Sequence, residues 1–381
     1  MAVFTAYATL DMRANREMAI VDDPATTFAI GIQSFNSFNG NQTVTFWADG
    51  IVQQSDKPTQ AMINAVGGFV TGSSPTFYLK DVAPTVSLAS LRAAIDAAPL
   101  DDFSSAFGLF LGGNDQITGS ESADWLHGFA GNDRVDGDAG NDVLNGGDGN
   151  DSLVGGEGFD QLDGGAGIDT ADYSATQGSL KVKLDGGKSV TVKLDGNSED
   201  TIENVENVTG GSGNDRIVGD GVGNQLSGDG GNDVVKGKGG RDSLLGGSGD
   251  DKLNGGGGVD HLYGGEGNDI LKGGGGRDQF VFDTALDAAT NVDTIKGFKP
   301  GVDDIFLSRG AFTALQTLGK MSADHLAIGK AADADDYIIC KPNSGKVFCD
   351  QDGAGTAYGP VLFAKVGPGL DLSAADFYVT A

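Results

Sequence analysis

From Asp115 an aspartate returns every ninth residue without a miss: Asp115, Asp124, Asp133, Asp142, Asp151, Asp160 and Asp169. Two residues after each comes an apolar side chain, at Ile117, Leu126, Val135, Leu144, Leu153, Leu162 and Ala171, and the stretch before each aspartate is rich in glycine. The unit is GGxGxDxUx, where U is aliphatic; Gly146–Val154 reads GGDGNDSLV and Gly155–Asp163 reads GGEGFDQLD. A second array repeats the pattern at Asp215, Asn224, Asp233, Asp242, Asp251, Asp260, Asp269 and Asp278, followed by Ile217, Leu226, Val235, Leu244, Leu253, Leu262, Leu271 and Phe280. From Asp169 to Asp215 is 46 residues, one more than five units, so an insert separates the arrays.

Composition alone would call this segment a disordered linker. Residues 106–281 hold 31 acidic and 12 basic residues and 47 of the 64 glycines, so −19 of the net charge of −29 lies there. A solvating tail has no reason to keep phase over fifteen units. With only 9 prolines the glycine excess is not collagen, and 25 basic residues against 54 acidic ones argue against a nucleic-acid binder working through phosphate contacts. No run of 18 apolar residues exists to span a membrane. The charge favours cations as partners.

The spacing has a physical reading. Six glycine-rich residues can make a tight turn and the three residues xUx a short strand with one side chain inward. Two units then close a coil of 18 residues, and stacked coils build two short-stranded parallel sheets around a thin aliphatic core. One inward side chain per nine ordered residues does not offset the conformational entropy, and stacking brings carboxylates together, so the roll needs a counter-ion. Ca²⁺ accepts six to eight oxygens, which aspartate carboxylates and glycine carbonyls supply. Magnesium demands compact octahedral geometry, and zinc would need more Cys and His than the 2 and 3 present.

The nonapeptide resembles the RTX, or hemolysin-type, calcium-binding repeat, a pattern associated with parallel β-helices. The resemblance implies an all-β fold: a parallel β-roll in two blocks, with a small mainly-β N-terminal domain and a β-rich C-terminal cap. It places ions between turns of adjacent coils, five in the first array and six in the second. About eleven Ca²⁺ would carry about +22 against the −19 of the segment. The ligands implied are Asp124, Gly131, Asp133, Gly137, Asp142, Gly146, Asp148, Asp151, Gly155, Glu157, Asp160, Gly164 and Asp169 in the first array. In the second they are Asp215, Asn224, Gly228, Asp233, Gly237, Asp242, Gly246, Asp251, Gly255, Asp260, Gly264, Asp269, Gly273 and Asp278. Asn224 keeps an oxygen but loses a charge, so a weaker site is expected there. Phe110, Leu111, Ser120 and Glu121 make the first coil an irregular edge, as terminal repeats usually are.

The domain reading is 1–105, an N-terminal β-rich domain; 106–172, the first block; 173–209, an insert; 210–281, the second block; and 282–381, a C-terminal cap. Within the insert, Leu180, Val182 and Leu184 alternate, then Val190, Val192 and Leu194, around Asp185, Gly186 and Gly187, which predicts a hairpin. Ile202, Val205 and Val208 lead back into repeats, and the insert is read as metal-free rungs. Lys181, Lys183, Lys188 and Lys193 could form a small basic face for an anionic partner; for the protein as a whole, a cell-surface glycan or exopolysaccharide is an expected partner.

Gln279–Leu307 resembles the closing segment of serralysin-like RTX proteins at Asp293, Ile295, Phe298, Gly301, Asp303, Ile305 and Leu307, with Gly297 where that family often has an acid. The final LSAADFYVTA resembles a type I secretion tail, and the N-terminal residues lack a classical signal peptide. These features imply a secreted, extracellular protein exported by a C-terminal signal through a type I secretion apparatus, unfolded in a low-calcium cytosol and folded by external Ca²⁺. Cys340 and Cys349 flank a predicted hairpin and share a face in either register; a disulfide and two buried thiols both stay open. Asp350 and Asp352 in DQDGAG resemble the start of an EF-hand loop, but the bidentate Glu is missing, so a turn is expected.

Residues 1–105 alone could host separate chemistry. Strands are expected around Phe4, Ala6 and Tyr7, at Phe28 to Ile32 and at Val44 to Trp47, and a helix from Ser87. The segment has no His and no Cys; the three histidines are scattered at His127, His261 and His325, and GxSxG is absent. Asp22 and Asp23 read as a solvated turn. The expectation is a secreted, calcium-folded protein without catalysis, acting in adhesion, matrix or host contact. The alternative is an RTX toxin or secreted enzyme with residues 1–105 as effector.

Overall fold

A computed structural model describes residues 113–119, 121, 123–353 and 359–381, Ser198 as backbone alone. It describes 5–11, 28–38, 41–50, 62–64 and 78–80 as backbone strands. The helix expected from Ser87 lies outside the described residues. The chain forms two compact units: Met1–Asp172 with Glu199–Val205, and Tyr173–Ser198 with Glu206–Ala381.

In the first unit, Thr5–Asp11, Asn41–Gly50, Phe28–Phe38 and Met62–Asn64 make a four-stranded sheet, antiparallel except for the last pair. The first three of these strands fall on the stretches where apolar alternation predicts them, and Met62–Asn64 lies outside those stretches. The repeats form the roll. Gln116–Thr118, Arg134–Asp136, Ser152–Val154 and Thr170–Asp172 stack in parallel, with Ile117 opposite Val135, Val135 opposite Leu153 and Leu153 opposite Ala171. The opposite sheet stacks Trp125–Ala130, Val143–Asp148, Gln161–Ala166 and Asn197–Glu203, with Leu126, Leu144, Leu162 and Ile202 in line. Every partner within the repeats is 18 residues away, as two nine-residue units per coil require. The inward row from Ile117 to Ala171 is at most 3% exposed.

The second unit builds a longer roll. One sheet aligns Val208, Leu226, Leu244, Leu262, Phe280, Ile305 and Phe377. The other aligns Val182, Ile217, Val235, Leu253, Leu271 and Ile295. Towards its C-terminal end the core changes from aliphatic to aromatic: Phe280 lies 5.8 Å from Phe298, and Phe363 makes edge contacts with Phe282 at 5.1 Å and Phe312 at 5.0 Å. Larger side chains fill the space where regular coils stop, and Val361–Lys365, Lys346–Cys349 and Ile338–Lys341 add to the sheet edge. A covered edge does not recruit another chain.

Strands of the insert stack against both arrays, Ile202 opposite Leu162 and Val208 opposite Leu226. Its hairpin is present, Leu180–Lys183 against Val190–Leu194, with Leu180 opposite Leu194. Yet Val182 pairs with Ile217 as the opening strand of the second roll, while Ile202 pairs with Leu162 as the closing strand of the first. An array that stopped at its last coil would leave unpaired strand groups and an apolar rung, and the insert supplies a strand beside each array.

Candidate metal centre

Each aspartate in the two arrays, with Asn224, is between 0 and 5% exposed. The side chain turns inward toward the preceding coil, where one carboxylate oxygen has a fixed task. Oδ1 of Asp133 accepts the backbone N–H of Asp115 at 2.8 Å, Asp142 that of Asp124, Asp151 that of Asp133, Asp160 that of Asp142 and Asp169 that of Asp151. The second roll repeats the ladder, with Asp233, Asp251 and Asp269 accepting from Asp215, Asp233 and Asp251, and Asp242, Asp260 and Asp278 from Asn224, Asp242 and Asp260. Asp215 accepts from Leu180.

The other oxygen has no such task. Oδ2 of Asp133, Asp142, Asp151, Asp160, Asp233, Asp242, Asp251, Asp260, Asp269 and Asp278 is buried without a hydrogen-bond partner. A buried carboxylate oxygen left this way is costly, so it marks a place for a cation or a proton. Carbonyl oxygens lie at the same place. A Cβ on Gly137 would collide with Oδ2 of Asp142 and the carbonyl oxygen of Gly155, and one on Gly146 with Asp151 and Gly164. Gly237 faces Asp242 and Gly255 in this way, and Gly246 faces Asp251 and Gly264. Gly155, Gly164, Gly228, Gly255, Gly264 and Gly273 each bring the Oδ2 of Asp160, Asp169, Asp233, Asp260, Asp269 and Asp278 to the corresponding point. Glycine is required here because any side chain would occupy the oxygen-lined space.

These donors fit a hard cation with many oxygen ligands. Among the described residues no group of three or more His, Cys, Asp or Glu side chains could hold a metal by itself, so carbonyls must supply much of the shell. Ca²⁺ accepts such mixed shells, whereas Mg²⁺ retains its waters.

The electrostatics agree. Burial pushes the carboxyls of Asp133, Asp142, Asp233 and Asp251 up to about 7, with neighbouring carboxylates adding to the shift and the N–H from the preceding coil opposing it. Asp242, Asp269 and Asp278 rise to about 6, also through burial first. Without cations the row holds its charge poorly near neutral pH.

Some predicted ligands stand apart. Asp148 and Glu157 are exposed at the turn rim, Asp148 near enough for its charge to raise Asp151. Gly131, at φ 136°, packs its Cα against the carbonyl of Gly113 rather than against an aspartate. Asn224 is satisfied by protein alone: its Oδ1 accepts the N–H of Asp220 at 2.9 Å and its Nδ2 donates to the carbonyl of Glu206 at 2.8 Å. Asp124 and Asp215 lie in the buried row, Oδ2 of Asp215 accepting from Gly211 N–H.

The sequence places Asp293 and Asp303 in the closing segment but not in the ladder, and Asp200 was missed altogether. Asp200 accepts the N–H of Asp160, Asp293 that of Asp269 and Asp303 that of Asp278. The readable signal was an aspartate two residues before Ile202, Ile295 and Ile305, the DxU half of the repeat outside its nine-residue phase. Gly119, Gly128, Gly210 and Gly219, first residues of their units, also face the Asp or Asn of the ladder.

A family profile described as RTX calcium-binding nonapeptide repeat (4 copies) matches residues 111–144, 136–171, 209–244, 227–262 and 245–280. The chain carries RTX calcium-binding repeats. The RTX segments are the stretches that stack as coils above. No curated protein matches the chain. Among solved structures it is similar to one titled "Crystal structure of extracellular lipase LipA from Serratia marcescens", at 14% identity and a TM-score of 0.17. That match covers 68% of this chain and 39% of the other, so the chain spans well under half of the lipase's length.

Outside the RTX segments, Cys340 and Cys349 are free, buried thiols on one face of a hairpin, where Cys340 opposes Val347 and Cys349 opposes Ile338. Burial pushes both up to about 12, which makes them unreactive. Asp350 and Asp352 sit in a turn, as expected. Among outward residues, Trp125 is 57% exposed and His127 stacks on Phe129 at 4.2 Å. No helix among the described residues is long and apolar enough to cross a membrane.

Proposed function

We propose that this is a secreted calcium-binding protein whose two rolls fold when external Ca²⁺ reaches them, and which then acts by surface or matrix contact rather than catalysis. The observation that carries this is the row of buried Oδ2 atoms facing glycine carbonyls, an arrangement stable only when positive charge enters it. About eleven ions are expected, one for each gap between adjacent turns. Millimolar external calcium and its near absence in a cytosol would tie folding to location by mass action.

Export through the C-terminus is part of the proposal. Phe377 and Val379 are buried beside Ile305 and Leu307, so the tail is readable by a secretion apparatus only before the roll closes. Deletion of 332–381 should abolish export; export that survives refutes the route.

Circular dichroism and light scattering test the folding. The full chain in chelator should be expanded and largely without β-structure, and millimolar Ca²⁺ should produce a compact β-rich protein. An unchanged spectrum and radius would reject the mechanism.

A further inference from the structure

The outer face of the second roll carries a groove of about 500 Å³ lined by Lys181, Lys183, Lys193, Arg216, Lys236 and Lys238, with Val182, Val218 and Thr191 between them. Four adjacent strands supply it: Val190–Leu194, Leu180–Lys183, Arg216–Val218 and Val234–Gly240. Lys193 stands directly opposite Lys181, and Lys181 directly opposite Arg216, so three cations line up across three strands. Lys183 and Lys236 flank Val218 in the next row. Like charges placed directly opposite destabilise a sheet.

Nothing among the described residues relieves this. None of the six cations forms an ion pair with a described residue, although the chain has 54 acidic residues to offer. Some outward cations elsewhere find acids, Arg134 meeting Asp172 at 3.0 Å and Arg277 meeting Asp304 at 2.7 Å; what sets the groove apart is that its unpaired cations stand directly opposite one another. Lys188, expected in the basic face, instead lies 3.5 Å from Asp185 at the hairpin turn, and Arg216, Lys236 and Lys238 take its place. The repeat and the insert thus converge on one uncompensated cationic strip in a chain of net charge −29.

We infer that this groove binds an anionic polysaccharide. No aromatic side chain lines it, so a stacking platform for nucleic-acid bases is missing. Its valines are buried, so no apolar residue projects to enter a lipid layer. Duplex DNA carries a charge about every 1.7 Å and would meet the acidic remainder of the protein, whereas a glycan with one anion per sugar or two presents sparse charge to a short strip. Val218 and Thr191 leave a small nonionic floor for the sugar face between the lysines. The inference rests on the calcium reading, because the groove exists only when the second roll is folded.

The test uses the full chain in millimolar Ca²⁺ and measures binding by fluorescence anisotropy. The probes are labelled hyaluronate oligosaccharides (carboxylate only), chondroitin sulfate oligosaccharides (carboxylate and sulfate) and neutral dextran. Binding of either anionic glycan, weakened by added salt and absent for dextran, is expected, and the tighter of the two identifies the anion. The K181Q/K183Q/K193Q variant should lose at least ten-fold in affinity with an unchanged calcium-loaded spectrum, while K320Q/K330Q/K346Q binds as the parent. R216Q/K236Q serves if the first variant does not fold. The inference is overturned if neither glycan binds, if the groove variants keep parental affinity, if a single-stranded oligonucleotide or phosphatidylglycerol vesicles bind more tightly, or if binding persists in chelator. Calcium-induced folding without glycan binding removes the groove and leaves the calcium reading standing.

Discussion

Two glycines separate conformational need from close packing. Gly158 has φ 146°, and a Cβ there would overlap the carbonyl oxygen of Gly140 in the preceding coil. Gly186 has φ 64° in the hairpin turn, with open space around it. G186A should therefore cost only the backbone penalty of about 1–2 kcal/mol, and G158A distinctly more because the coils must part. Melting temperatures in millimolar Ca²⁺ compare them, and equal losses would contradict the stacking. Asparagine variants probe charge in the ladder. D142N keeps an oxygen for the N–H of Asp124, so it should fold, bind one ion fewer and need more calcium. N224D gives up the bond from Nδ2 to Glu206 and sets a carboxylate against that carbonyl, so it should weaken the calcium-free protein and add an ion at saturation. Native mass spectrometry counts the ions; unchanged counts in both would remove these side chains from the sites.

At the scale of the element, both rolls end on strands that are not repeats but borrow half of one. Asp200 with Ile202, Asp293 with Ile295 and Asp303 with Ile305 keep the ladder acceptor and the inward aliphatic while dropping the glycine turn. Asp293 shows the consequence. Its Oδ2 and that of Asp269 meet at Gly264, and burial together with the Asp269 charge drives its carboxyl well upward. D293N should therefore stabilise the second roll in chelator and destabilise it in calcium. Melting in both conditions checks the sign; a stabilised protein in both would mean the pair holds no cation.

For the molecule as a whole, pH should act oppositely on the calcium-free and calcium-loaded forms. Asp133, Asp142, Asp233 and Asp251 titrate near 7 in the folded roll, against 3.8 for an unperturbed carboxyl. The folded state holds more protons than the unfolded chain between those values, so its calcium-free stability is greatest below about 4 and is lost as pH rises through about 7. Calcium must displace those protons, so its affinity should rise over the upper part of the same window. Calcium-depleted protein at pH 5 should be more ordered by circular dichroism than at pH 8, and calcium titrations at pH 6 and 8 should show weaker binding at 6. An affinity independent of pH would remove the aspartates from the binding step.

The nine-residue phase by itself determined the coil of 18 residues, the inward row from Ile117 to Phe280 and the carboxylate row beside it, because in a stacked coil every contact repeats at the sequence period. The hairpin at Asp185–Gly187 was legible for the same local reason, through alternation around a glycine turn. Aperiodic partners were not legible. Only the tertiary structure decided that Ile202 closes one roll while Val182 opens the other, and that Asp200 rather than a repeat aspartate ends the first ladder. It alone gathered Lys181 and Lys193 from the insert with Arg216, Lys236 and Lys238 from the repeats. Those contacts depend on which strand covers an exposed roll end, a choice set by the pairing of free edge groups and not by the spacing of any residue along the chain.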